Sequence, residues 1–239
     1  MSTGGESEYR QQMFALWCAP LFSILVGVGW FGLGDYWMPA AADISALATK
    51  QYYTVDHRSA IIIGNAIFII ACPILCIDSI QTGLMLADIE GRRPGWSIST
   101  IVGGVGIAIV TFISNCFWIS AAYRPDASAD VVVALNDVAW LGFLLGWVWL
   151  GLQMVGTAIV GLSDRSPTPL LPRWLCIASL LAIIPVAFAN GPAFTQSGPF
   201  AFHGSLAYFV PMAVWGVWLN VHNYYYRIGL KRQFAHSVG

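Results

Sequence analysis

Long apolar runs separated by short polar stretches set the pattern of this chain. They cover residues 13–33, 59–86, 98–122, 138–161, 171–188 and 200–223. Each is close to the length of about 20 residues that a helix needs to cross a bilayer, the fifth being the shortest. None alternates apolar and polar residues at period two, as the strands of a membrane barrel would. A backbone surrounded by hydrocarbon must then satisfy its own hydrogen bonds as helix. The pattern predicts an all-α polytopic protein, a bundle of six transmembrane helices forming a single integral membrane domain over residues 1–239. Amphipathic periodicity adds little inside such runs, because helices in lipid are apolar all round.

The polar stretches carry the finer expectations. In 34–58, Asp43 is expected to cap a short interfacial helix beginning at Ile44. In 123–137, YRPDASADVVVALND, the chain is polar before it enters the fourth run, and Asp137 is expected where water meets lipid, with Trp140, Trp147 and Trp149 beyond it. The stretch 189–199 contains NGPAFTQSGP, whose Gly-Pro pairs predict a tight, uncharged loop. Six crossings put these three stretches on one side and both termini on the other. The terminal side then holds Arg10, Arg92, Arg93, Arg165, Arg173, Arg227, Lys231 and Arg232, eight of the eleven Lys and Arg. Lys50, Arg58 and Arg124 lie opposite. Cationic loops stay in the cytoplasm, so both ends are expected there and the protein in the cell membrane. Ala40, Ala41 and Ala42 resemble a signal cleavage site, but the run before them has the length of a span and its leader is not basic, so it is expected to be an uncleaved crossing.

Composition reinforces the choice of solvent. The chain is 57% hydrophobic and 10% charged, with mean hydropathy +0.68, against about a quarter charged in soluble domains. A net charge of −1 with no basic patch excludes nucleic acid as a partner. The five cysteines, Cys18, Cys72, Cys76, Cys116 and Cys176, all fall within apolar runs and read as small packing residues. Gly142 and Gly146 form a GxxxG that suits close helix packing, inside the chain or between copies. Tyr224, Tyr225 and Tyr226, followed by Arg227, read as an interfacial anchor.

Polar groups inside a membrane are costly and so mark candidate sites. Asp78 is the only acid well inside a run, about 9 Å from its midpoint at the helical rise. Gln81, Gln153, Asn220 and His222 reach similar levels, and the group is a proton or cation candidate, or a helix-packing lock. A second group gathers towards the other face: Asn65, Asn115, Arg124, Asp137, Trp140, Trp147, Asn190 and His203. Aromatic residues with a few convergent polar groups describe a small-molecule site; alternatively Arg124, Asp126 and Asp137 pair and tie loops down. His57 and His203 could contribute to a metal site, but no ligand spacing supports one. No histidine sits mid-span for a haem, and the only lysines, Lys50 and Lys231, lie outside the runs, which excludes a retinal Schiff base. There is no GxSxG, Walker loop or HExxH, and no cofactor is expected.

At YRPD, LNDVAW, LPRW and SGPFAFHG the chain resembles a set of uncharacterised multi-spanning membrane proteins of actinobacterial type, across runs three to six. The resemblance implies no activity. It implies that Arg124, Asp137, Pro192, Gly198 and Pro199 belong to a shared site or scaffold. The leading functional expectation is a non-enzymatic protein that binds or passes a small, largely apolar molecule or lipid through an outward-facing aromatic funnel, with Asp78 the proton carrier if transport is coupled. Two further classes stand beside it: an accessory subunit of a larger membrane complex or homo-oligomer, and a metal-dependent membrane enzyme.

Overall fold

The computed structural model describes the backbone at residues 3–37 and 39–238 and the side chains at 5–37 and 39–235. All regular structure among them is helical. Helix α1 (Thr3–Leu16) runs through a turn at Trp17 into α2 (Cys18–Leu25), which widens into a π-helical end over Val26–Leu33. A short α3 (Ala46–Gln51) precedes α4 (Arg58–Glu90) and α5 (Gly95–Tyr123). Helices α6 (Ala129–Leu145) and α7 (Val148–Ser163) form one rod broken by a turn at Gly146 and Trp147. Helix α8 (Arg173–Ala187) tightens into a 3-10 turn over Phe188–Ala193, and α9 (Val210–Val238) follows a π-helical turn at Ser205–Phe209.

Among the described residues five helices are long and apolar enough to cross a membrane: Gly5–Leu33, Arg58–Glu90, Gly95–Tyr123, Ala129–Ser163 and Arg173–Ala193. Their outward faces are apolar too. On α4 the exposed residues Ile63, Ile70, Ile77 and Leu84 repeat every seventh position and form a stripe that water would not solvate. Helix α9 is not among the five, its upper half being rich in tryptophan and tyrosine and its middle carrying Asn220, His222 and Asn223.

The rods close into a ring. Helix α2 packs on α4, α4 on α5, α5 on the α6–α7 rod, α7 on α8, α8 on α9, and α9 back on α1 and α2. Glycine allows close approach where α5 crosses α7: a Cβ at Gly103 of α5 would meet the backbone of Gln153 on α7. The GxxxG is used inside the chain, Gly146 lying against Val110 of α5 and Gly142 near the Ser114 hydroxyl. Helix α1 lies along the end of α9, where Tyr9 stacks on Phe234 with ring centroids 4.3 Å apart. The Arg227 guanidinium covers the Trp17 ring at 4.1 Å.

Several boundaries differ from the expected ones. Helix α6 starts at Ala129, not at 138, because Ser128 caps it by accepting the Val131 N–H at 3.4 Å. The expected loop 123–137 thus shrinks, and Asn136 and Asp137 become helical. Ser45, not Asp43, caps α3, accepting from Ala48 N at 3.3 Å. The sixth run loses its first turn: residues 198–204 fold as turns, with Leu206 and Ala207 N–H groups donated to the Pro199 carbonyl. Gly198 adopts a positive φ of 76° there. Tyr226 is buried rather than interfacial, while Tyr224 is exposed. Between α4 and α5, where Pro94 offers no capping side chain, Glu90 reaches over and accepts from Trp96 N, Ser97 N and Ser97 Oγ at 3.0, 2.7 and 2.7 Å.

Candidate functional site

The interior is layered. Towards the α3 end lies an aromatic core centred on Trp30, with Phe68, Trp118, Trp140, Phe143 and Tyr208 around it. Towards the chain termini lies an aliphatic core that includes Leu16, Leu86, Leu171 and Leu230. Between the two runs a polar layer drawn from four helices: Asp78, Ser79 and Thr82 of α4, Gln153 and Thr157 of α7, Ser179 of α8, and His222 and Asn223 of α9, all buried.

The sequence builds this layer by helical spacing. Asp78 and Thr82 are one turn apart, and the Thr82 hydroxyl donates back to the Asp78 carbonyl at 2.9 Å. Asn223 ties three elements together: its amide N–H groups donate to the Leu16 carbonyl at 2.6 Å and to Asp78 Oδ1 at 2.9 Å. The Gln153 amide donates to Ser79 Oγ at 3.4 Å. His222 Nδ1 faces the Trp218 carbonyl at 2.8 Å, and a carbonyl only accepts, so Nδ1 carries the proton. Nε2 is then free to accept the Ser179 hydroxyl at 2.8 Å, a proton it shares with the Leu175 carbonyl at 3.0 Å, and the Ser179 oxygen in turn accepts from Trp218 Nε1 at 2.9 Å. Asp78, Thr82, Gln153, Thr157, His222, Asn223 and Tyr226 line a narrow chamber that offers about 10 Å³ to the centre of a water molecule. Of the expected polar cluster, Asp78, Gln153 and His222 line this chamber. Gln81 is not part of its wall and is half-buried, and Asn220 turns to Ser23 of α2 at 2.8 Å.

Trp218 and His222 have a second face. It closes an apolar groove between α8 and α9 of about 510 Å³, lined further by Trp174, Ala178, Ala182, Val214 and Val217. The groove opens sideways through the wall of the bundle, beside the exposed Trp174, Ile177 and Leu181.

The residues expected to line an aromatic funnel occupy a filled space. Trp140 is 0% and Trp147 1% exposed. Trp140 lies parallel to Phe202 with centroids 5.1 Å apart, and Trp147 packs edge-on to Phe143 and Trp215. Asn65 is the hub of a closed network, accepting from Trp30 Nε1 at 3.3 Å and donating to Tyr36 OH at 2.8 Å and the Ile61 carbonyl at 2.6 Å. Asn115 donates to the Thr111 carbonyl, and its oxygen has no partner. Tyr53 donates to Asn136 at 2.6 Å, and Asn136 donates to Asp137 at 3.1 Å. The indole N–H groups of Trp118 and Trp140 lack partners in bonding geometry, though both bear electrostatically on the Tyr53 hydroxyl. Arg124 is exposed and joins neither Asp126 nor Asp137 in an ion pair. Asn190 closes its own turn on the Ala187 carbonyl.

His57 and His203 serve separate contacts. His57 lies 3.2 Å from Asp35 and stacks on Tyr52, while His203 Nδ1 accepts the Ala42 N–H at 3.0 Å. Burial, then the Asp35 carboxylate, pushes the Tyr52 phenol up to about 12, and burial holds Tyr36 and Tyr53 well above their ordinary value as well. Among the described residues no three His, Cys, Asp or Glu side chains gather as a metal would need.

Sequence reasoning missed Thr82, Thr157, Asn223 and Tyr226 as chamber residues, and Ser179 as the partner of His222. Single hydroxyls hide easily in apolar runs, and Asn223 stands where the sixth run was taken to end. Its signal was the spacing: Leu219, His222, Asn223 and Tyr226 share one face of α9 at helical intervals. No family model, no curated protein and no solved structure matches this chain.

Proposed function

We propose that this chain is a six-crossing integral protein of the cell membrane that binds one small, largely apolar molecule in the groove between α8 and α9. The observation that carries the binding reading is the groove itself. Its volume of about 510 Å³ falls within the range of about 300–1,000 Å³ of small-molecule sites, and nearly all its wall is hydrocarbon. A site that opens sideways at the level of apolar spans is reached from lipid, so the ligand class is a molecule that already partitions there, such as a lipid-like chain. The bilayer supplies it, and no diffusible cofactor is needed. The seat thus differs from the funnel expected from sequence, whose space the aromatic side chains fill.

Two features support six crossings. Helix α9 stands as the sixth rod of a closed ring, its buried face contributing Trp215, Trp218 and Leu219 to the aromatic core. The stacking of Tyr9 on Phe234 brings the first and last helices together at one end of the bundle, which favours an even number of crossings. The same end carries most of the lysines and arginines, which favours a cytoplasmic placement.

Filling the groove tests the binding reading. Ala178→Phe places a ring where the ligand chain would lie. Native mass spectrometry of protein extracted gently from membranes should find a retained apolar adduct on the wild type and lose it in Ala178→Phe, with thermal stability equal or higher. Equal retention of apolar species by both proteins would remove the groove as the site.

A further inference from the structure

We propose that the chamber around Asp78 binds one small monovalent cation of sodium size, held by oxygen donors from α4, α7 and α9.

Several oxygens of the chamber wall have no partner, or belong to groups whose hydrogens already bond elsewhere. The Leu16 carbonyl can only accept, so the Asn223 amide must present its nitrogen to it, and its second N–H goes to Asp78. The Asn223 oxygen is left buried with no partner. One of the two Gln153 amide N–H groups is committed to Ser79, and the Thr82 hydroxyl proton to the Asp78 carbonyl. The Tyr226 hydroxyl is buried without a partner in bonding geometry. Asp78, Thr82 and Asn223 thus present oxygens to the cavity with no hydrogen left to donate there, and hard cations are bound by oxygen.

Charge and size narrow the occupant. Asp78 is 2% exposed, and no ion pair within 4 Å joins it to a cation among the described residues. A buried carboxylate must be neutralised. The titratable and charged groups that face it are Cys18 on α2 and Tyr226 and Arg227 on α9, with His222 in the same cavity wall. The Arg227 guanidinium is drawn off over the Trp17 ring. One carboxylate balances one positive charge, so a divalent ion would be left half neutralised. A space of about 10 Å³ to a water-sized centre admits a single particle of about a water's size, close to the smallest cavity that holds one. A bare monovalent cation fits that space and meets several acceptors at once, whereas a water offers only two protons.

The test uses the purified full-length protein in detergent, unfolded by heat and followed by tryptophan fluorescence, with sodium chloride exchanged for N-methylglucamine chloride at constant ionic strength. Sodium should raise the unfolding temperature along a saturating curve, lithium should follow, and potassium should act more weakly. Asp78→Asn should unfold at a temperature independent of sodium. Thr157→Val, which keeps the side-chain shape but removes an oxygen, should raise the half-saturating sodium concentration about tenfold, and it remains informative if Asp78→Asn fails to fold. Acid should raise the sodium requirement of the wild type, since protons compete for the same carboxylate. An unfolding temperature that ignores sodium at every pH would assign the chamber to a protonated Asp78 with a trapped water and overturn the proposal. So would a sodium response that persists in Asp78→Asn or is unchanged in Thr157→Val.

Discussion

Asn65 and Asn115 sit on neighbouring helices, both at 0% exposure, and their situations differ sharply. Asn65 satisfies Trp30 and Tyr36 as well as a carbonyl of its own helix. Asn115 bonds only within its own helix and leaves its oxygen without a partner. Leucine has nearly the shape of asparagine but no polar atoms. At Asn65 it would orphan an indole N–H and a phenol in a dry core, at about 1–3 kcal/mol for each group left unsatisfied. At Asn115 it would remove a group that is already half orphaned. Asn65→Leu should therefore lower the unfolding temperature in detergent well below that of Asn115→Leu, which should stay near the wild type. Similar losses in the two variants would show that the Trp30–Asn65–Tyr36 network contributes nothing beyond packing. From sequence the two asparagines read alike, as polar groups at one depth. The partners that distinguish Asn65 lie about 30 residues away on other elements, and hydropathy carries no information about which side chains meet.

Helices were the most legible scale and their ends the least. Every apolar run contains a helix, because lipid-scale runs leave the backbone no other way to satisfy itself. The ends are set by single side chains instead. Ser128 and Ser45 cap α6 and α3, and both displace the boundaries that apolar content alone suggested. The aromatic core was legible as a gathering of tryptophans but not as a filled one, since composition does not say whether rings line a space or occupy it. The turn between α7 and α8 is governed in the same local way. Asp164 accepts from Ser166 N and Leu170 N, each at 2.9 Å. Burial works against its charge, but these bonds outweigh burial and hold the carboxyl below the usual carboxylate range. A folded pKa below the unfolded value of about 3.9 means that the charged form stabilises the turn above that pH, and that this support is lost as pH falls through the lower folded value. Amide exchange over residues 164–172, corrected for intrinsic rates, should show steady protection near neutrality and a loss in acid. Asp164→Ala should show the loss at all pH values. Equal protection in both proteins would mean that the carboxylate does not hold the turn.

At the scale of the whole molecule, the number of crossings decides which face each site serves. Five helices qualify by length and hydropathy, and a five-span chain would leave its ends on opposite sides. Yet α1 lies against the end of α9, Leu16 and Leu230 share the aliphatic core, and Asn223 bonds the Leu16 carbonyl of the adjoining rod. These contacts tie the first rod to the last over most of a turn of the bundle, so splitting the ends across a membrane would break a buried core rather than a surface contact. The low hydropathy of α9 has a physical reason within the ring. Its polar residues point inward to the chamber and to Ser23, and its tryptophans are apolar in bulk while scoring as polar for one N–H. On the six-crossing proposal, a helix that supplies the polar layer must look less apolar than its neighbours. Single cysteines at Asp126 and Ser166, in a background where the native cysteines are replaced by alanine, should report the consequence to a membrane-impermeant maleimide. Residue 126 should label in intact cells and residue 166 only after permeabilisation, with epitope tags at both ends accessible only together with 166. A tag at one end that is exposed in intact cells while the other is protected would break the six-rod ring as a membrane architecture, and would place the groove and the chamber at depths other than those argued above.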